Sequence, residues 1–183
     1  MLDVSQCAVT ALRTVAPGLS GLSAVEPLTV RPGAVTLRPA TPADEPFLRR
    51  VFRDAREGDL PEAHAVAGDP ALGLRYRAHS ADRRDRYPDA EVCIVLEGGE
   101  PAGTVTLQHE DGRTHLVELA VIAERRRRGI ASTVLAGLLA AHGRLTVTVW
   151  EQNRAAQRLY ERHGFAVVAE QFGYLLMATE ADR

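Results

Sequence analysis

One stretch constrains this chain more than any other: HLVELAVIAERRRRGIASTVLAGLLAAH, from His115 to His142. Its first seven residues read as a strand, and its middle is a polar turn ending in Gly129. From Ile130 the apolar spacing becomes helical, with Ile130, Val134, Leu135, Leu138 and Leu139 on one face. A strand therefore feeds a helix through a basic loop. The first turn of a helix leaves backbone N–H groups unpaired and carries the positive end of the peptide dipole, so an anion is stabilised there. Gly129 and the small Ala131 would let a phosphate approach the backbone, Ser132 adds a hydroxyl donor, and Arg125 to Arg128 supply a positive field. Taken alone, the same residues also read as a solvated charge run on ordinary αβ packing.

A second stretch separates these readings. Asn153 to Phe165 reads NRAAQRLYERHGF after an apolar strand, LTVTVW, at Leu145 to Trp150. Asn153 suits a helix cap, Ala155, Ala156, Leu159 and Tyr160 make an inward face, and Gly164 is a helix stop. Together the two blocks resemble the GCN5-related N-acetyltransferase (GNAT) family. The R-x-x-G-x-(G/A) loop stands here as Arg126-Arg127-Arg128-Gly129-Ile130-Ala131. The later N-x-x-A-x-x-L-Y-x-x-x-G-F segment matches at Asn153, Ala156, Leu159, Tyr160, Gly164 and Phe165. The resemblance spans roughly Val35 to Thr179. The family often has Gly where this chain has Arg127, Gly at Ala131 and Pro at Ala123, and none of these changes removes a backbone N–H that a phosphate needs.

The resemblance implies an α+β domain of the GNAT type, with a mostly antiparallel central sheet splayed at its middle and flanked by helices. It also implies acetyl-CoA as cosubstrate, its pyrophosphate held at Arg126, Arg127, Arg128, Gly129, Ile130, Ala131 and Ser132, and Asn153 anchoring the cofactor arm. The backbones of Leu119, Ala120 and Val121 would contact the pantetheine arm and the thioester carbonyl. Preorganised donors of that kind contribute about 3 kcal/mol each.

Composition agrees and excludes alternatives. At 183 residues the chain suits one domain, and 45% apolar residues is ordinary for a globule. The 22 basic and 24 acidic side chains leave a net charge of −2. That balance, and the lack of aromatics interleaved with Arg125 to Arg128, argues against a nucleic-acid module. Cys7 and Cys93 make neither a disulfide framework nor a metal site, and Cys93 in an apolar strand reads as a buried thiol. No metal is implied. Asp3 and Arg13 interrupt the apolar start, so neither a signal peptide nor a membrane helix is read there, and a cytoplasmic location is expected.

Along the chain, residues 1–34 are expected to be a loosely ordered extension, with a short helix near Val9 to Val15 as the second reading, and 35–183 the domain. Thr41-Pro42-Ala43-Asp44 is a helix start, and Phe47, Leu48, Val51, Phe52 and Ala55 its inner stripe. Gly58 to Pro70 is a turn-rich connection, and Ala71 to Tyr87 a second helix carrying Tyr76, His79 and five arginines. In the family that region covers the acceptor side of the cleft. Glu97-Gly98-Gly99-Glu100 and Asp111-Gly112 mark hairpin turns, so three antiparallel strands precede the basic loop. Ala166 to Glu170 and Tyr174 to Thr179 close the sheet.

Acetyl transfer to an amine has requirements that residue types can meet. The amine must lose a proton, because a lysine-like amine with pKa about 10.4 is mostly charged at neutral pH. The resemblance makes Glu118, on the central strand three residues before Val121 where the family often carries an acidic residue facing the acceptor, the leading base or amine-binding residue, and a salt bridge to an arginine of the Ala71 to Tyr87 helix is its alternative reading. His115 on the same strand has a suitable ring, though its end position predicts exposure. The departing thiolate, of pKa near 8.5, needs an acid. Tyr160 still holds its proton at neutral pH, and the family places a tyrosine there beside the sulfur. A carboxylate or phosphate on the acceptor would suit the arginines of the second helix, unless these pair with Asp82, Asp85 and Asp89. A non-catalytic acetyl-CoA sensor of the same fold is the competing function. Homodimers through sheet edges are common in the family.

Overall fold

The computed structural model describes residues 29–30, 35–56, 70–110 and 112–179. In chain order these form β1 (Thr29–Val30), β2 (Val35–Pro39), α1 (Glu45–Ala55), α2 (Pro70–Arg86), β3 (Glu91–Glu97), β4 (Glu100–Glu110), β5 (Arg113–Val121), α3 (Ile130–His142), β6 (Leu145–Trp150), α4 (Arg154–Arg162), β7 (Phe165–Gln171) and β8 (Tyr174–Thr179). The strands make one sheet in the order β1-β2-β3-β4-β5-β6-β8-β7. Only β5 and β6 run parallel; every other neighbouring pair is antiparallel. This is the expected mostly antiparallel mixed fold. Thr29 and Val30, inside the expected extension, pair with Thr36 and Val35. The Val9 to Val15 helix and nearly all of the Gly58 to Pro70 connection lie outside the described residues.

Short-range chemistry explains the boundaries. Gly98 and Gly99 both take positive φ, 61° and 88°, the geometry of a two-residue hairpin whose twist matches its strands. At the start of α1, Pro42–Asp44 form a 3-10 turn rather than the first helical turn. There the Asp44 carboxylate accepts from the Thr41 N–H and hydroxyl at 2.8 Å each and from Arg38 at 2.6 and 2.8 Å. Those bonds, led by Arg38, hold the Asp44 carboxyl well below the usual carboxylate range. Gly143 ends α3 at φ 69°.

Each face of the sheet has its own helices. On one, α3 and α4 bury Ile130, Val134, Leu135, Leu138 and Tyr160 against Val105, Leu107, Leu116, Leu145, Val147 and Met177. On the other, α1 and α2 share a smaller cluster of Phe52, Leu72 and Tyr76, with Leu48 against it. Two expected core positions are corrected: Ala55 and Ala155 are exposed, while Asp54 and Gln157 are buried. Both buried polar groups are satisfied, as burial requires. Gln157 donates to the Trp150 and Glu151 carbonyls at 3.1 and 2.6 Å, and Asp54 serves the loop described below. Cys93 is 4% exposed, and burial pushes its thiol pKa up. Among the described residues no helix is long and apolar enough to cross a membrane.

Candidate active site

The centre of the sheet opens because β5 changes partners along its length. Thr114, His115 and Leu116 pair with Leu145, Thr146 and Val147 of β6, and there the parallel pairing stops. Opposite β4, the register shifts between the pairs Thr106↔Glu118 and Leu107↔Leu116, so Val117 is an extra residue on β5. Such a bulge bends a strand and sharpens its twist. Beyond it, Glu118 to Val121 pair with β4 alone, and Thr148 to Trp150 of β6 keep only their β8 partners. Leu119, Ala120 and Val121 thus present backbone groups to a gap. Gly103 of β4 sits against that segment, and a Cβ there would run into the Ala120 carbonyl oxygen.

After β5 the chain enters the basic loop, where the four arginines differ. Arg125 pairs with Glu97 at 2.6 Å, and Arg128 approaches the same carboxylate at 3.4 Å. Arg126 donates to the Val121 carbonyl at 3.1 Å and to the Asp54 carbonyl, tying the loop back to β5 and α1. Arg127 takes φ 64°, and Gly129 φ 82°. The left-handed backbone at 127 accounts for the glycine that the family often has there, since a Cβ is costly in that region. Gly129 precedes Ile130, and a Cβ at Gly129 would meet nothing within 4 Å, so the helix start is open to a ligand. Ala131 and Ser132 are half-buried in the first turn of α3. A left-handed loop, an open glycine and a free helix start fit a diphosphate.

Sequence reasoning missed Asp54. Its carboxylate accepts from the Ala123 N–H at 3.1 Å and from Arg53 at 2.9 and 3.1 Å, so the C-terminal turn of α1 clamps the start of the loop. The one available signal was a carboxylate flanked by apolar Val51, Phe52 and Ala55, which locally reads as a surface position.

Tyr160 lies on the α3 and α4 face, 7% exposed, with its ring 5.4 Å from Phe165. Burial pushes its phenol up to about 12, so the proton stays on at neutral pH. Asn153 caps α4, its side-chain oxygen accepting from the Ala156 N–H at 3.1 Å.

Glu118 lies on the opposite face, in a cleft of about 240 Å³ with His79, Asp82, Arg83 and Arg86 of α2, Arg56, Tyr87, His115, Val117, Thr148 and Tyr174. Its carboxylate is 3.5 Å from both His79 Nε2 and Arg83, and its side chain is 24% exposed. Burial alone would raise the Glu118 carboxyl, but the hydrogen bond from His79 and the charges of Arg56 and Arg83 outweigh it and hold the group below its usual range. On the other side of the same ring, the Arg56 guanidinium faces His79 Nδ1 at 3.3 Å. A guanidinium only donates, so Nδ1 is the acceptor in this arrangement and Nε2–H faces Glu118. His79 is a second site residue that no sequence motif marked.

His115 departs from its expected exposure. Its ring stacks on Tyr87 at 5.7 Å, its Nδ1 is 2.9 Å from the Thr146 hydroxyl, and burial pushes the imidazole down to about 4. Glu118 and Tyr160 therefore occupy different faces of the sheet, and the gap between β5 and β6 is where the two faces meet.

The arrangement has counterparts among known proteins. The model of the acetyltransferase (GNAT) family matches residues 51–165. No curated protein matches the chain in sequence. A PaiA N-acetyltransferase from Thermoplasma acidophilum, solved in complex with coenzyme A, is 16% identical with a TM-score of 0.60, over 80% of this chain and 98% of that one. An acetyltransferase from Thermus thermophilus is 24% identical with a TM-score of 0.58, over 79% and 95%. A ribosomal-protein-alanine N-acetyltransferase from Brucella melitensis is 24% identical with a TM-score of 0.52, over 78% and 98%. At these identities the structures show a shared fold. With the family model covering most of the chain and the bulged, splayed sheet beneath it, the chain belongs to the acetyltransferase (GNAT) family.

Proposed function

We propose that this protein moves an acetyl group from acetyl-CoA to a primary amine by direct transfer in a ternary complex. The observation that carries this is the gap at Leu119 to Val121, with the basic loop and open helix start on one side and the cleft holding the Glu118 carboxylate on the other. Acetyl-CoA is the cosubstrate and supplies the thioester-activated acetyl group. The loop from Arg126 to Ser132, with its left-handed Arg127 and open Gly129, would hold the diphosphate. Backbone groups of Leu119, Ala120 and Val121, unclaimed by β6, would orient the arm and donate to the reacting carbonyl.

Glu118 draws the ammonium into the cleft and receives its proton. Being held below the usual carboxylate range, it passes that proton on to solvent at the cleft mouth. Tyr160 acts on the other face. A phenol at about 12 does not protonate a thiolate of pKa near 8.5 outright, so its part is to donate a hydrogen bond to the developing negative charge. Direct transfer is favoured because the described residues of the cleft lining include no cysteine, while the Cys93 thiol is buried in β3.

The experiment is release of free CoA thiol from acetyl-CoA across a panel of amines, on the wild type and on Tyr160→Phe. The chain contains no lysine, all 22 of its basic residues being arginine, so side-chain self-acetylation adds no background. Turnover with some amine, reduced about 10²-fold in kcat by the Phe variant, is the expected result. Binding of acetyl-CoA with no turnover on a broad panel would favour the non-catalytic sensor instead.

A further inference from the structure

Among the described residues the acceptor cleft carries three guanidiniums, Arg56, Arg83 and Arg86, against two carboxylates, Asp82 and Glu118. Arg86 closes on Asp82 at 2.7 Å and Arg83 reaches Glu118 at 3.5 Å, so four of these charges are matched. Arg56 is the fifth. Its contacts among the described residues are the His79 ring nitrogen at 3.3 Å and the face of Phe52, 4.2 Å from the ring centroid. Its charge also acts on the Glu118 carboxylate, but no carboxylate hydrogen-bonds its guanidinium among the described residues, and Glu118 is already shared with His79 and Arg83. Arg56 is also the C-terminal cap of α1, whose dipole offsets at most about half a charge. A half-buried guanidinium in that state is stabilised by an anion that completes its pairing.

From this excess of one positive charge we propose that the acceptor amine bears a carboxylate, bound by Arg56, so that the substrate is a small amino acid-like molecule. The inference rests on the transfer reading given above. The reactive form of such an acceptor, a neutral amine with one carboxylate, carries the single negative charge that balances the described lining. A phosphate brings nearly two, which exceeds the imbalance. A lysine side chain without a nearby acid, counted in the same neutral-amine form, brings no anion to Arg56. The planar fork of Arg56 suits a carboxylate, and a cleft of about 240 Å³ suits a short molecule.

The test compares ω-amino carboxylates of increasing length with their primary amides, by CoA thiol release on the full chain. In at least one pair the acid is expected to exceed its amide by tenfold or more in kcat/KM, the size of a charge-assisted hydrogen bond (about 1.5–3 kcal/mol). Arg56→Gln should bring that ratio within about threefold of unity, whereas Arg84→Gln, exposed on α2 and outside the cleft, should preserve it. Amides used as well as acids in every pair, or a preference that survives Arg56→Gln, overturns the carboxylate subsite and leaves acetyl transfer standing. Calorimetric titration of the acids without turnover keeps the two failures apart. Acid binding that Arg56→Gln abolishes upholds the subsite even if no amine is acetylated, and the absence of both binding and turnover overturns it.

Discussion

Acidification from pH 7.5 to pH 5 is expected to cost this fold about 2 kcal/mol through one side chain, His115. Its imidazole is held down to about 4 by burial against Tyr87, while the unfolded chain returns it to an ordinary value near 6.5. Between those values the unfolded state binds more protons than the native state, so stability rises with pH across the window. The contribution is full above about 6.5 and is lost as pH falls toward 4. Its whole size is about 3 kcal/mol, at 1.36 kcal/mol for each unit of difference, and about 2 kcal/mol is gone by pH 5. Against a net stability of roughly 5–15 kcal/mol that is a large fraction.

Urea unfolding, followed through Trp150, the single tryptophan, reads the effect directly. With a slope of about 2 kcal/mol per molar, the midpoint should fall by about 1 M between the two pH values. His115→Gln should remove most of that fall, whatever it does to stability at pH 7.5. His142 and His163, whose rings burial also pushes down, change both proteins alike and cancel in the comparison. Glu118 is held low and has the opposite chemistry: its contribution is present above its unfolded value, near 4.5, and is lost below it, outside this range. Equal midpoint losses in the wild type and His115→Gln would refute the assignment of a half-buried, uncharged His115.

Three further outcomes follow from the site. Asp54→Ala removes a 6%-exposed carboxylate that bonds the Ala123 N–H and Arg53, and should cost about 2 kcal/mol, or roughly 4–8 °C in Tm by calorimetry, with a higher KM for acetyl-CoA as the loop loosens. Arg127→Gly relieves a left-handed side-chain position, worth about 1–2 kcal/mol, against about 0.5–1 kcal/mol of added chain entropy, so a small rise in Tm is expected and a fall would refute the strain. Glu118→Gln should lower kcat/KM for the amine about 10²-fold while sparing KM for acetyl-CoA; a matching loss of acetyl-CoA affinity would place Glu118 outside the amine site.

Much of the frame was legible because its causes are local. The spacing of Ile130, Val134, Leu135 and Leu138 marks a helix buried on one side, and all four are buried. Paired glycines at 98 and 99 mark a turn that needs two positive φ values, and Asn153 three residues before Ala156 marks a cap. The reading of α1 was less complete, because an aspartate beside an apolar stripe looks solvated until the strand it clamps is known. Likewise His115 looks exposed at the start of its strand, and Tyr87 just after α2 and Thr146 on β6 cover it in part.

By itself, then, the sequence determined the order of strands and helices, the loop between β5 and α3 with its anion-binding character, and the helix that carries Tyr160. These depend on contacts within a few residues, where hydrogen-bond geometry and side-chain periodicity act directly. Only the tertiary structure decided how the charges are spent. Glu97 takes Arg125 and Arg128 from across the sheet, Asp54 and Arg126 join α1 to the loop, and His79 with Arg83 crosses from α2 to Glu118. Arg56 is left over, and the opening at Val117 depends on a register shift between two strands. Pairing between groups tens of residues apart follows from which surfaces the core brings together, and no local rule along the chain specifies it.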